Sequence, residues 1–401
     1  MRILTVIQRF GADITGGAEA NCRALVRGLT ERGHLVEVLT TSSTEYGDWA
    51  NVLPRGMQLE EGVPVHRLDT GARLDRATFE PLDQRVIGAL LLGSQLPRFA
   101  QEEWLRALGP TMPGLASWID ANVDRFDIIC VHTLAYAHAA MTVAAVDGRR
   151  PVVLHPLAHD EPALALDVYN SVLERVNAFA FLTDEEAAII DRRCSPRPSA
   201  VIGLGIEPPQ VKTVSAEAVR DRLGLRSGEV FLVCVGRVDR EKGVHSLAGW
   251  IRSLRRRGVE LAPLVVIGDV MHPLESDDSV RVVGRLDPAD VVAAMREAVV
   301  LVHPSRNESF GIVLCEAWAQ GTPCLVNAGC DVTVGQCERS GGGIAWRDIA
   351  ELAAQVDAFT ADPALRSAFG ERGRRYVIDR LRWSGVLDRY EALLNAVVGA
   401  S

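Results

Sequence analysis

Hydrophobic positions along the chain follow two different periods, and the switch between them sets out the fold. Short unbroken apolar runs rich in Val, Ile and Leu predict buried strands at Arg2–Gln8, Leu35–Thr40, Phe126–His132, Pro151–Leu154 and Ala178–Thr183. Between them the spacing becomes helical, as in Gly17–Arg32, where Ala20, Ala24, Leu25 and Leu29 fall on one face. Residues Leu74–Trp118 read as an irregular helical insertion with its own aromatic content. A second set of strands follows at Val230–Val235, Pro263–Ile267, Val280–Val283, Val299–His303 and Pro323–Asn327. Helical spacing fills the gaps at Gly243–Arg257, Pro288–Glu297 and Gly311–Gln320, then recurs at Asp348–Thr360, Ala364–Leu381 and Val386–Val398. Strands that alternate with helices make a parallel sheet covered on both faces. The expected fold class is therefore α/β, with two Rossmann-like doubly wound domains facing a cleft. The expected limits are 1–207 and 208–381, with the joint at Pro208–Pro209 and a closing helix over 382–401. In such sheets ligands bind beyond the carboxyl ends of the strands.

Composition narrows the function classes. The chain has 401 residues, 48% hydrophobic and 24% charged, and 52 acidic against 43 basic residues give a formal charge of -9. A duplex nucleic-acid binder carries a basic footprint, so that class is excluded. The eight cysteines include no C-x-x-C pair and mostly lie in apolar runs. They fit buried thiols in a reducing compartment, not a disulfide framework or a zinc site. The opening MRILTVIQRFG has too short an apolar core for a signal peptide, and Val86–Gly93, among the longest apolar stretches, falls far below the ~18 residues of a membrane span. A cytoplasmic location is the expectation. Lys212 and Lys242 are the two lysines among the 43 basic residues, which makes a lysine beside a glycine loop a sharper signal than an arginine.

Four constellations can carry chemistry. In NESFGIVLCEAWAQGTP at 307–323, a helix starts near Gly311, with Glu308 before it and Glu316 one to two turns inside. The amides of Ser309, Phe310, Gly311 and Ile312 are helix-start donors suited to an anion, and the two carboxylates suit vicinal hydroxyls. The alternative is a capped amphipathic helix with two solvated glutamates. In VGRVDREKG at 235–243, Gly236 permits close backbone approach, and Arg237 and Lys242 can converge on a phosphate pair. For Arg237 and Arg240 the alternative is a plain surface charge. The loop Gly16–Gly17–Ala18–Glu19 suits a diphosphate or sugar lying against backbone, or a simple tight turn; it lacks the G-x-G-x-x-G fingerprint. Past the strand at Pro151–Leu154, His159 stands where a histidine can donate to a sugar hydroxyl or a developing charge, while His155 reads as a packed core residue. His132 and His138 lack the accompanying ligands of a metal site.

At these residues the chain resembles the family-4 retaining glycosyltransferases, nucleotide-sugar enzymes of the GT-B fold. The resemblance runs in order through GGAE, the cleft histidine, GRVDREKG, the VVGRL strand and the E-x(7)-E of NESFGIVLCEAWAQGTP. It implies that Arg237 and Lys242 hold the donor diphosphate, that Glu316 accepts from the nucleotide ribose, and that Glu308 touches the transferred sugar. Gly17 then corresponds to the amino-terminal loop near donor and acceptor, and Gly284 and Arg285 lie where the base-binding strand ends. The stretch containing Trp383 and Tyr390 corresponds to the helix that returns to the first domain. The chain departs from the family in NAGCDVTVGQCERSGGG, from which no donor contact carries over.

The implied activity is transfer of a sugar from a nucleotide-diphosphate sugar with retention, without metal or other cofactor, with His159, Glu308, Arg237 and Lys242 in catalytic roles. The implied partners are that donor and a glycan, lipid-linked or small-molecule acceptor. Acceptor choice is expected in 40–56 and 74–118. Peripheral membrane contact through the helix bearing Arg252, Arg255, Arg256 and Arg257 stands beside a plain solvated face. The rival classes are a nicotinamide-dependent oxidoreductase, disfavoured by the missing fingerprint, a GT-B epimerase or phosphorylase, and a non-catalytic sugar-nucleotide-binding protein.

Overall fold

The computed structural model describes residues 1–14, 16–207 and 214–400; the joint expected at Pro208–Pro209 lies outside them, as does Lys212. The chain divides into two compact units, Met1–Leu204 with Ser384–Ser401, and Gly205–Trp383.

The first unit runs β1 (Arg2–Val6), α1 (Gly17–Glu31), β2 (Leu35–Thr41), β3 (Gly56–Glu60), β4 (Val63–Leu68), α2 (Arg76–Leu91), α3 (Arg98–Leu108) and α4 (Leu115–Asn122). It continues through β5 (Ile128–His132), α5 (Ala137–Val146), β6 (Val152–His155), α6 (Asp167–Leu173), β7 (Ala178–Phe181), α7 (Asp184–Asp191) and β8 (Ser199–Val201). Its sheet has the order β3-β4-β2-β1-β5-β6-β7-β8, parallel except for β3 against β4. Sequence patterning missed the β3–β4 hairpin. Its turn, Glu61–Gly62, has both residues at positive φ, and β4 buries alternate positions, one of which is Arg67. A charged residue on the inward face hides the period of two. Arg67 is tolerated there because it donates to the Phe10 carbonyl and pairs with Glu60.

The second unit runs α8 (Ala216–Arg222), β9 (Leu232–Val235), α9 (Val244–Arg256), β10 (Leu264–Ile267), β11 (Val280–Gly284), α10 (Pro288–Glu297) and β12 (Val300–His303). Then come α11 (Ile312–Ala319), β13 (Cys324–Asn327), α12 (Asp331–Ser340), β14 (Gly343–Trp346), α13 (Ile349–Ala361) and α14 (Pro363–Arg380). The order β11-β10-β9-β12-β13-β14 is all parallel, the doubly wound arrangement. The divergent stretch after β13 forms α12 and the edge strand β14, elements its polar and glycine-rich composition concealed. The arginines of α9 meet acidic and carbonyl partners: Arg252 lies 2.6 Å from Asp277, and Arg255 donates to the Asp278 carbonyl at 2.8 Å. All eight cysteines are free thiols, buried except for the half-buried Cys194. Among the described residues no helix is long and apolar enough to cross a membrane.

The closing helix α15 (Trp383–Gly399) packs into the first unit from Ser384 onward. Leu387 fits against Gly28 of α1, where a Cβ would come within 2.4 Å of it. Arg389 donates to the Ile202 carbonyl at 3.0 Å, and Arg32 reaches Asp388 at 2.8 Å. The buried Tyr390 hydroxyl lies 2.7 Å from His155 Nε2, and His155 in turn stacks on His132 with centroids 4.1 Å apart. Stripping the hydroxyl leaves a buried imidazole nitrogen unpaired, at a cost of ~1–3 kcal/mol. Tyr390→Phe is therefore expected to lower the thermal midpoint of the first unit, checked by calorimetry; an unchanged midpoint removes this bond from the docking of α15.

Candidate active site

In the second unit the strand order reverses between β9 and β12, which pair directly at Val300–Leu232 and Leu301–Val233. Loops leaving neighbouring strands at such a reversal diverge and open a crevice. The loop after β9 carries Gly236–Gly243, and the loop after β12 carries Pro304–Gly311. Gly243 ties them together. It sits at φ 73, and an added Cβ would lie 2.9 Å from the Pro304 carbonyl oxygen.

Two contacts centre this crevice on Glu308. Lys242 Nζ lies 2.6 Å from Glu308 Oε1, and His303 Nε2 lies 3.1 Å from the same oxygen. Burial alone would raise the Glu308 carboxyl; the hydrogen bond and charge of His303, joined by Lys242, outweigh it and bring the pKa down to about 2. Asp239, buried in the loop after β9, accepts from the Lys242 backbone amide at 2.7 Å and lies 3.5 Å from Arg237 Nη2. Arg237 itself is 60% exposed. Gly236 stands exposed at the strand exit at φ 145, a conformation that side-chain-bearing residues rarely adopt.

The start of α11 faces the same loops. Gly311 caps the helix at φ 77, in the left-handed region, so Ser309, Phe310, Gly311 and Ile312 stand where no preceding turn supplies acceptors. Gln336 of α12 donates to the Phe310 carbonyl at 3.3 Å and accepts from Tyr376 at 2.9 Å. The divergent segment thus braces the anion-suited helix start from behind. Glu316, on α11, reaches solvent, yet the surrounding protein desolvates its carboxyl enough to raise the pKa. Gly284 ends β11 and accepts from the Gly268 amide at 2.9 Å; Arg285 beside it is 71% exposed, 3.7 Å from Asp269.

Lys242, Glu308, Ser309–Ile312 and Glu316 therefore gather at the β9/β12 reversal, with Gly236 and Arg237 on the same loop and Gly284 and Arg285 at a strand end two places away. Gly17 and His159 belong to the first unit: Gly17 opens α1, and His159 follows β6. Sequence reasoning passed over His303, taken only as the end of a strand. Its signal was a histidine closing the apolar run VVLVH five residues before Glu308. It also passed over Glu186 of α7. That buried carboxylate accepts from the amides of Ala158 at 3.0 Å and Leu182 at 2.7 Å, fixing the loop that presents His159. Among the described residues no three His, Cys, Asp or Glu side chains group as metal ligands.

A family model described as glycosyl transferase 4-like domain matches residues 16–205, and one described as glycosyl transferases group 1 matches 215–376. The chain belongs to these glycosyltransferases. A D-inositol 3-phosphate glycosyltransferase from Saccharomonospora viridis is 27% identical over 98% of this chain and 93% of its own length. Among solved structures, sucrose-phosphate synthase from Thermosynechococcus elongatus matches with TM-score 0.72 at 19% identity, covering both chains fully. Anabaena HepE in complex with UDP and glucose matches with TM-score 0.69 at 16% identity, over 99% of this chain and all of the other. The transferase has the GT-B fold these structures share, and the nicotinamide-dependent reading falls away.

Glu186 gives this glycosyltransferase a pH signature. Desolvation raises its pKa from 4.5 to about 7, against the pull of the amides of Leu182, Ala158 and Leu157. The folded state then holds the proton more tightly than the unfolded chain, so stability falls as pH rises from about 4.5 through about 7 and levels off above. Glu186→Gln is expected to flatten that decline, read as thermal midpoints across the window; an equally steep decline in the variant contradicts it.

Proposed function

We propose that this transferase moves a sugar from a nucleoside-diphosphate sugar to an acceptor with retention of anomeric configuration and without a metal. The observation that carries the proposal is the Lys242–Glu308 pair at 2.6 Å beside the open start of α11. In a diphosphate sugar the anomeric carbon hangs directly on the terminal phosphate. A cation for the phosphate and a carboxylate for the ring hydroxyls must then stand side by side, and here they touch. Arg237 and Lys242, with the amides of Ser309 to Ile312, bind the diphosphate and stabilise the charge that grows on it as the sugar leaves. That set does the work a metal ion would otherwise do. Glu316 accepts from the ribose, Glu308 from the transferred sugar, and Gly284 with Arg285 borders the base. Gly236 lets the diphosphate approach the loop after β9.

In the first unit, Gly17 lies against the donor and acceptor, and His159 hydrogen-bonds a hydroxyl near the reacting carbon. No side chain stands out as a covalent nucleophile. The leaving phosphate oxygen takes the acceptor's proton while the acceptor enters the face the phosphate leaves. UDP, present in the Anabaena HepE structure, is the first nucleotide to try, and a cytoplasmic supply of nucleotide sugars is the matching location.

Loss of a contact to a part of the donor that does not react raises KM, whereas loss of one at the reacting centre lowers kcat. Glu316→Gln is therefore expected to raise donor KM tenfold or more with little change in kcat, and Glu308→Gln to lower kcat by at least as much. Steady-state kinetics separates them; identical behaviour of the two variants refutes the assignment. Lys242→Ala should lose more than tenfold in donor affinity, since a charge-assisted bond contributes ~1.5–3 kcal/mol. NMR of the product reads the anomeric outcome, and activity that survives a chelator supports metal independence. A product that is an epimerised donor or a sugar phosphate would sink the transferase assignment in favour of the epimerase or phosphorylase reading.

A further inference from the structure

The eight-stranded sheet of the first unit ends on β3 at one side and on β8 at the other. An open edge presents unpaired backbone groups, and natural sheets blunt it with short strands, proline or charge. The β8 edge is blunted in this way: it has three residues, Ser199–Val201, and follows Pro196, Arg197 and Pro198. The β3 edge is not. Its five residues, Gly56–Glu60, hold no proline, and their one charge, Glu60, turns to Arg67. Two apolar side chains stand in solvent instead, Met57 at 60% and Leu59 at 68% exposure.

The hairpin register fixes which backbone groups this edge offers. β3 pairs with β4 through Gly56–Arg67, Met57–His66, Gln58–Val65, Leu59–Pro64 and Glu60–Val63. A two-residue turn is closed by a pair that exchanges both backbone bonds, here Glu60 and Val63, and such pairs alternate along an antiparallel ladder. Gly56, Gln58 and Glu60 therefore bond to β4, while Met57 and Leu59 turn their N–H and C=O outward. Pro64, which has no N–H, stands opposite Leu59, where that alternation asks for none. Beyond the hairpin, no backbone group among the described residues bonds to Met57 or Leu59.

The edge is complementary to itself. When two copies of β3 lie antiparallel about a two-fold axis at Gln58, Met57 of each copy faces Leu59 of the other, and their outward N–H and C=O groups meet as bonded pairs. The four apolar side chains then pack on one face of the joint. Charge agrees with this register. Arg55 is 80% exposed, 3.5 Å from Asp69, and Glu61 is exposed with no ion-pair partner among the described residues. Arg55 of each copy comes level with Glu61 of the other. Moving the axis to Met57 sets Arg55 opposite Leu59, and moving it to Leu59 sets Met57 opposite Glu61; either shift loses the charge match and an apolar pair.

We propose that the chain forms a two-fold dimer through β3, in which the two eight-stranded sheets join edge to edge. The partner is a second copy, because backbone, apolar and charged positions of this edge all match its own sequence at one register. One strand per copy is a small interface, so the dimer dissociates on dilution. Gln58 of the two copies meets across the axis as a pair without backbone bonds, the closer of the two spacings in an antiparallel ladder.

Sedimentation velocity over a hundredfold range of concentration should show monomer passing into dimer. Leu59→Lys sets a charge at the joint and should stay monomeric throughout, with an unchanged thermal midpoint in dilute solution. Residue-resolved hydrogen exchange reads the register. The amides of Met57 and Leu59 should slow at least tenfold in the dimer, while those of Gln58 and Glu60, already bonded to β4, change less. Gln58→Cys puts one thiol from each copy across the axis, so mild oxidation should link two copies on a non-reducing gel. If Leu59→Lys does not fold, the amide pattern and this link decide in its place. A chain monomeric at every concentration, a dimer that survives Leu59→Lys, unslowed Met57 and Leu59 amides, or no link through Gln58→Cys overturns the inference.

Discussion

The three-body contact of Lys242, Glu308 and His303 is the constraint around which the second unit is organised. It joins the loop after β9 to the loop after β12, the two strands between which the sheet reverses direction. An exposed ion pair contributes only ~0–1 kcal/mol. This one, with Lys242 30% and Glu308 15% exposed, is partly withdrawn from water and served by a second donor, so its geometry is fixed more tightly than a surface pair would be. The neighbouring features follow from it. Asp239 holds the Lys242 backbone, Gly243 lets the two loops touch, and Gly311 turns the chain into α11 directly after them.

The first unit solves a related problem with carboxylates that no solvent reaches. Glu19 gathers Gln8, Arg9 and Tyr46, and Glu186 gathers the amides of Ala158 and Leu182. Glu19 is costly to bury and is offset by several donors at once, which is the condition under which a buried charge is tolerated, whereas the amides offset only part of the desolvation of Glu186, whose pKa stays raised. Both stiffen loops at strand ends and need not touch substrate.

Legibility in the sequence followed the source of the physical signal. Parallel strands buried on both faces are continuous apolar runs, so β1, β2, β5, β9, β10 and β12 could be read directly. Edge strands such as β3, β8 and β14 carry mixed patterns, and in β4, next to the edge, Arg67 on the inner face erased the alternation. The glycine-rich loops and the spacing of Glu308 to Glu316 stood out because backbone conformation and helix pitch leave marks in local sequence. Long-range contacts leave none. Nothing near His303 announces that it shares an oxygen with Lys242, far away in the chain, and nothing near Tyr46 announces that it stacks on Tyr136.

The placement of α15 bears on the order in which the molecule can be assembled. His155, Gly28, Arg32 and the Ile202 carbonyl are covered or bonded by residues 387–391, which are synthesised only after the entire second unit. The amino-terminal unit is thus made first and completed last, while the unit made second has all its strands from one uninterrupted stretch. Contacts separated by 187 residues or more close slowly, because their loop entropy must be lost before they return anything. During synthesis the second unit can consolidate behind a first unit whose α1 flank is still open, and that flank is where a chaperone or a protease would find the nascent chain.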